Sequence, residues 1–207
     1  MRCILPSAGQ THRSPDSGLV QAKRLNGIMS ADEHQEQATA FARNNPVSCA
    51  VLTVSDTRTA DTDRSGPLIR RLLAEAGHTI VHHTIVPDEP PAIADQIQAW
   101  LGDTRVQVIL TTGGTGIALR DTTIEVVRRL LTVEIEGFGE LFRMLSYRDI
   151  KAAAMLSRAV AGLVAKEDEA GGDTFVFAMP GSTDAVETAV SQLIAPQLAH
   201  LIWQRRL

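Results

Sequence analysis

Cysteine is scarce in this chain, aromatic residues make up only 4% of it, and long apolar runs are missing. The two cysteines, Cys3 and Cys49, form no C-x-x-C pair, and Cys49 lies inside an apolar run, where a reduced, buried thiol is expected. With so few aromatics, the core has to be built from Val, Ile, Leu and Ala. No stretch approaches the roughly 20 apolar residues that cross a bilayer, and Cys3-Ile4-Leu5 is too short for the core of a secretion signal. A basic excess is also absent: 20 Lys and Arg stand against 24 Asp and Glu, a net charge of -4. That balance argues against nucleic-acid and membrane partners, which call for clustered positive charge. A cytoplasmic protein acting on small molecules is the expectation. What is present is 207 residues, 44% of them hydrophobic, enough to fill one ordinary domain.

Residues 1–45 are rich in Ser, Gln, Asn, Arg and Gly, with scattered large apolar residues such as Leu19, Leu25 and Phe41. Such a segment buries too little surface to offset chain entropy, so disorder is expected there, apart from a short helix over 31–43. Met29 is an alternative start within it. The folded domain is expected over 46–207. Ser48–Val54 is a short branched run ending in the polar Ser55-Asp56-Thr57-Arg58, the pattern of a buried strand entering a loop. Further strands are expected at Thr79–Val86, Val106–Thr111 and Thr174–Met179. Between them lie helical patterns: one from Ser65-Gly66-Pro67 to Gly77, one from Asp88-Glu89-Pro90-Pro91 to Leu101, and one opened by Thr122 and Glu125 as a capping box. Phe138–Tyr147 reads as a helix. A final helix follows Ser182 or Thr183 and kinks at Pro196. Ala152–Ala165 fits either helix or strand, and 168–173 is a polar turn.

Strands alternating with helices predict an α/β fold in three layers, a mostly parallel sheet with helices on both faces. Ligands of such sheets bind beyond the carboxyl ends of the strands. Three of those loops are polar or glycine-rich: Ser55–Gly66, Thr112–Asp121 and Pro180–Thr183. The site is expected where they meet.

Thr112-Gly113-Gly114-Thr115-Gly116 is the first candidate. Consecutive glycines after a strand let main-chain N–H groups turn toward an anion, and the next helix adds partial positive charge. No Gly-Lys-Ser/Thr follows, so this is not a Walker A loop, and G-x-G-x-x-G fails at Leu119. Asp88 and Asp121 come second, each at a loop-to-helix junction. Two carboxylates beside a phosphate site could hold Mg²⁺, although helix capping alone would also explain either one. Third, Ser55, Asp56, Arg58, Arg64 and Ser65 place hydroxyl and guanidinium groups in one loop, suited to an anion or simply to solvent. His82 and His83 are neighbours in a strand and point to opposite faces, so they do not chelate one ion. Neither an H-E-x-x-H nor a G-x-S-x-G motif occurs.

Taken together, these segments resemble the MoaB/MogA family of molybdenum-cofactor biosynthesis proteins in order and spacing. They are Val54-Ser55-Asp56-Thr57-Arg58 with Asp63-Arg64-Ser65-Gly66, Val86-Pro87-Asp88, the glycine turn with Arg120-Asp121, Glu136-Gly137-Phe138-Gly139-Glu140, Leu156-Ser157-Arg158-Ala159-Val160-Ala161-Gly162, and Met179-Pro180-Gly181-Ser182. The resemblance covers about residues 47–203. It implies Mg²⁺-dependent transfer of AMP from ATP to the terminal phosphate of molybdopterin, with release of pyrophosphate. It also implies a metal or catalytic role for Asp88 and Asp121, and a place for Ser157 on the pterin side. Ser55, Asp56, Ser65, Gly66, Thr112 to Gly116, Pro180, Gly181 and Ser182 fall in its ligand loops. It further implies a homotrimer or homohexamer and an antiparallel pairing of 157–165 with 174–179. The wording Gly-Phe-Gly-Glu-Leu-Phe-Arg is closer to the MoaB branch, where a non-catalytic molybdopterin binder is the alternative.

Overall fold

The computed structural model describes residues 45–165 and 172–205. The expected disorder over 1–44, the short helix over 31–43 and most of the 168–173 turn lie outside the described residues. Six strands form one sheet: β1 (Ser48–Val54), β2 (Thr79–Val86), β3 (Val108–Thr112), β4 (Val133–Glu134), β5 (Val160–Val164) and β6 (Thr174–Met179). Their order across the sheet is β2-β1-β3-β6-β5-β4. The first four in that order run parallel, while β5 is antiparallel to both β6 and β4.

Alternation along the strands divides the core in two. One face carries Val51, Leu110 and Phe177 against α1 (Ser65–Glu75), α4 (Glu136–Ile150), α5 (Thr183–Ala189) and α6 (Leu198–Arg205). The other carries Ala50, Leu52, Ile109 and Val176 against α2 (Pro90–Leu101) and α3 (Thr123–Leu130). Each fully buried Leu, Ile or Val contributes roughly 1.5–3 kcal/mol of transfer free energy. A strand buried on both faces must therefore be apolar nearly throughout, as β1 is. Cys49 is fully buried within it, and burial pushes its thiol up to about 12, so it stays an unreactive thiol. Among the described residues no helix is long and apolar enough to cross a membrane.

Several boundaries differ from the pattern reading, each for a local reason. The capping box at Thr122 does not form: Thr122 makes no side-chain cap bond, and the Glu125 carboxylate is turned to Arg158. Asp63, rather than Ser65, caps α1, its Oδ1 accepting from the N–H groups of Ser65 at 3.0 Å and Gly66 at 3.2 Å. Helix α4 runs to Ile150, beyond Tyr147, and a 3-10 turn over Lys151–Leu156 follows. The ambiguous segment resolves into that turn and β5, whose strand pairing begins only at Val160, after Arg158 has reached across to the glycine turn. Where a kink at Pro196 is expected, the final helical stretch passes through a π-helical turn at Val190–Ile194 and a 3-10 turn at Ala195–Gln197.

The arrangement fixes where a ligand can sit. Strand β1 lies between β2 and β3, so the connections after β1 leave in opposite directions and open a crevice at the carboxyl ends of β1 and β3. Antiparallel β5 brings its amino-terminal end to the same edge of the sheet, since Val160 pairs with Ala178.

Candidate functional site

The glycine turn after β3 is held open by its neighbours. Gly113 and Gly114 have φ of 97° and 60°, the left-handed region that a side chain disfavours. Space is a second reason for glycine. A β-carbon on Gly113 would collide with the Val54 carbonyl, one on Gly114 would stand 2.7 Å from both carboxylate oxygens of Asp88, and one on Gly116 would stand 2.5 Å from Asp121 Oδ2. The two aspartates therefore press on the turn from its two ends.

The polar groups of the turn are sorted by direction. Its carbonyls are engaged: Gly114 O accepts from Thr123 N–H at 3.0 Å, Thr115 O from Arg158 Nε at 2.9 Å, and Gly116 O from Arg158 Nη2. The N–H groups of Gly114, Thr115 and Gly116 have no partner among the described residues. A turn with its oxygens tied back and its amides free is a concave anion receptor. Arg158 was quoted from the sequence only as part of a motif, and its clamp role was missed. The signal for it exists only in three dimensions, because the partners are main-chain carbonyls.

Asp88 follows β2 and is half-buried. Its N–H donates to Asp56 Oδ1 at 2.9 Å, while its own Oδ1 is buried with no hydrogen-bond partner among the described residues. Burial raises the Asp88 carboxyl above its usual range, the bond from the Thr122 N–H opposes that rise, and the negative charges of Asp121 and Asp56 add to it. Asp121 Oδ2 accepts from Ala118 N–H at 2.9 Å, closing the loop that carries it. Neither aspartate is the N-cap residue of a helix, although the Asp88 carboxylate receives the Thr122 N–H at the start of α3. An orphaned carboxylate oxygen in a pocket of like charge fits a hard cation held by one or two carboxylates and completed by phosphate oxygens. Among the described residues no group of three or more His, Cys, Asp or Glu side chains could hold a metal by itself.

Ser55, Ser65, Thr112 to Gly116, Asp121, Ser157, Pro180 and Gly181 line a single cleft of about 390 Å³, together with Arg58 and Leu156. Four other sequence candidates stand elsewhere. Asp88 lies behind Gly114. Asp56 faces a neighbouring groove of about 680 Å³ along β2. Gly66 is buried under the start of α1, and exposed Ser182 caps α5, accepting from Ala185 N–H at 3.3 Å. The larger groove contains neither the glycine turn nor Asp121, so the smaller cleft is the better candidate.

Two serines in that cleft differ in what they offer. Ser55 Oγ accepts from the N–H groups of Thr57 and Arg58, at 3.3 and 3.2 Å, which leaves its proton for a ligand. Ser65 Oγ instead donates to Asp63 Oδ1 at 3.0 Å. Ser65 is therefore not a donor to an anion, which corrects the reading of both hydroxyls as anion contacts.

The chain as a whole resembles known proteins. Residues 50–200 match the family model described as "Probable molybdopterin binding domain". The chain is 55% identical over 159 residues to molybdenum cofactor biosynthesis protein B of Staphylococcus carnosus, covering 75% of this chain and 89% of that protein. It is 47% identical over 177 residues to the protein of the same name from Bacillus anthracis, covering 85% and 98%. Among solved structures, the tungsten cofactor synthesizing protein MoaB of Pyrococcus furiosus superposes with a TM-score of 0.68 at 34% identity, over 79% of this chain and 99% of that one. A structure of MogA gives a TM-score of 0.65 at 31% identity, over 76% and 99%. The chain belongs to the MoaB/MogA family of molybdenum-cofactor biosynthesis proteins.

Proposed function

We propose that the protein adenylylates molybdopterin, transferring AMP from ATP to its terminal phosphate with release of pyrophosphate. The observation that carries this reading is the glycine turn, with free amides, occupied carbonyls and an aspartate against each end. The amides of Gly114, Thr115 and Gly116 would receive phosphate oxygens, and the Ser55 hydroxyl would donate a further bond. Asp88 and Asp121 would hold Mg²⁺. When bound, that ion withdraws charge from the attacked phosphorus and stabilises the departing pyrophosphate. Arg158 keeps the turn in its receiving shape, and Ser157, beside Leu156 at the cleft wall, faces the organic part of the substrate.

The test is a single-turnover assay with purified molybdopterin, ATP and Mg²⁺. Pyrophosphate and an AMP adduct should form in equal amounts, and both should vanish with chelator. Tight molybdopterin binding without any adduct would instead establish a non-catalytic binder. Homo-oligomer formation belongs to the same proposal. Helix α4 and the turn after it leave Leu141, Met144, Tyr147, Ile150 and Met155 exposed, an apolar band of the kind that subunit contacts cover.

A further inference from the structure

A hydroxyl has one proton, and three hydroxyls at the floor of the cleft have already placed theirs. Ser65 Oγ donates to Asp63 Oδ1 at 3.0 Å, Thr53 Oγ1 donates to Asp63 Oδ2 at 2.8 Å, and Thr112 Oγ1 donates to the Pro180 carbonyl at 3.1 Å. Neither an ionised carboxylate nor a carbonyl can donate, so each of these bonds has one direction. What remains on all three oxygens is lone pairs.

Asp63 imposes this on Ser65 and Thr53, as the Pro180 carbonyl does on Thr112. Asp63 is 7% exposed, and its Oδ1 also receives the N–H groups of Ser65 and Gly66. Burial pushes its carboxyl upward, but the bonds from Thr53, Gly66 and Ser65 and the nearby His83 outweigh that and hold it below the usual range. It therefore stays ionised at neutral pH, and the hydroxyls cannot reverse. Its charge is answered inside the protein by four donors, so the floor presents neutral acceptors rather than a negative pocket.

We propose that Asp63 turns the cleft floor into an acceptor wall, on which Ser65 receives an N–H of a planar amino-bearing heterocycle. The anion lies on the glycine turn. One cleft thus carries two chemically opposite sets of groups, donors at Ser55 and Gly114 to Gly116, acceptors at Ser65, Thr53 and Thr112. The inference rests on the molybdopterin reading above, in which the heterocycle is the pterin. Asp63 acts as a positioning residue, and Ser65 is the contact that sets specificity. A free metal cation is a poorer match for the floor, since all three oxygens are uncharged.

The experiment separates the two sets of groups with two probes, 6-hydroxymethylpterin, which carries no phosphate, and inorganic pyrophosphate, titrated calorimetrically into the full chain. Ser65→Ala should weaken pterin binding about five- to tenfold, the scale of one hydrogen bond, and leave pyrophosphate affinity within about twofold. Ser65→Cys keeps the shape, loses most of the acceptor strength, and should behave alike should the alanine variant fold poorly. Unchanged pterin affinity in either folded variant overturns the proposal, as does an equal loss for pyrophosphate. Wild-type protein that binds pyrophosphate but no pterin also overturns it while leaving the glycine-turn reading intact. Binding of neither probe overturns that reading first.

Discussion

Arg158 Nη2 donates to the main-chain carbonyl of Asp121 at 3.1 Å, so the start of β5 grips the loop that carries one of the two candidate metal ligands. The same guanidinium holds Thr115 O and Gly116 O and pairs with Glu125. One planar fork spans four acceptors from three directions, which an ammonium cannot imitate. Arg158→Lys should therefore fold, yet let the turn relax. Misplacement on the order of 1 Å can cost about a hundredfold in rate, and a loss of ten- to a hundredfold in pyrophosphate release is expected, with the melting temperature shifted by only a few degrees. A variant as fast as wild type would show that the clamp does not shape the turn.

Asp121 and Asp88 should be separable by their response to substitution. Asp121→Asn keeps an oxygen to accept from Ala118 N–H, so the loop should hold its shape. It loses the charge that would bind Mg²⁺. Single-turnover rates are expected to fall by about a hundredfold or more, equivalent to ~2.7 kcal/mol in barrier height, with unchanged circular dichroism. Partial recovery at high Mg²⁺ would locate the defect in metal affinity. Full activity at ordinary Mg²⁺ would remove Asp121 from the proposed metal site.

Asp88 makes a pH-dependent prediction whose direction follows from its environment. Burial first, and then the charges of Asp121 and Asp56, place its folded-state pKa above that of the unfolded chain. An ionised Asp88 therefore costs stability at neutral pH. That penalty fades as the pH falls through the raised value toward the unfolded one, because the folded state takes up the proton first. In metal-free buffer, Asp88→Asn should melt a few degrees above wild type at pH 7, and the gap should close in acid. Activity should show the mirror image. The acid limb at low Mg²⁺ should sit above the ordinary carboxylate range and move to lower pH as Mg²⁺ is raised, since metal and proton compete for the same oxygens. Equal melting temperatures at pH 7 would contradict the penalty.

How much of this was readable beforehand depends on whether the cause is local. Strands β1, β2 and β6 were legible because burial on one or both faces imposes a run or an alternation that survives in the linear order. The glycine turn was legible because a left-handed φ leaves a glycine behind. The convergence of the three loops followed from their leaving the carboxyl ends of strands expected to run parallel. Two-residue β4, exposed at Val133 and Glu134, leaves no such trace. Nor could the polarity of Ser55 and Ser65 be read, for it depends on where Asp63 and two main-chain amides lie in space. Thr122 and Glu125 had the right spacing for a capping box, but an arginine 33 residues beyond Glu125 offered its carboxylate a charged partner. Local rules failed where a distant side chain competed for the same atom.

The apolar band on α4 supplies the last test. Leu141, Met144, Tyr147 and Ile150 recur at every third residue, exposed by 47%, 54%, 58% and 49%, and Met155 on the following turn by 78%. A helix already burying Phe138 and Phe142 on its inner side has no intramolecular use for a second apolar face. Leu156, exposed by 54%, continues the band and also lines the ligand cleft, so a neighbouring subunit docked here would stand beside Ser157. Light scattering on wild-type protein should give a trimer or a hexamer of the 22.3 kDa chain. Replacing Met144 and Tyr147 together with Glu should yield monomers that retain the fold, because both side chains point away from the core. If the double variant keeps the wild-type mass, some other surface forms the interface, and if wild type itself runs as a monomer, the band serves another purpose altogether.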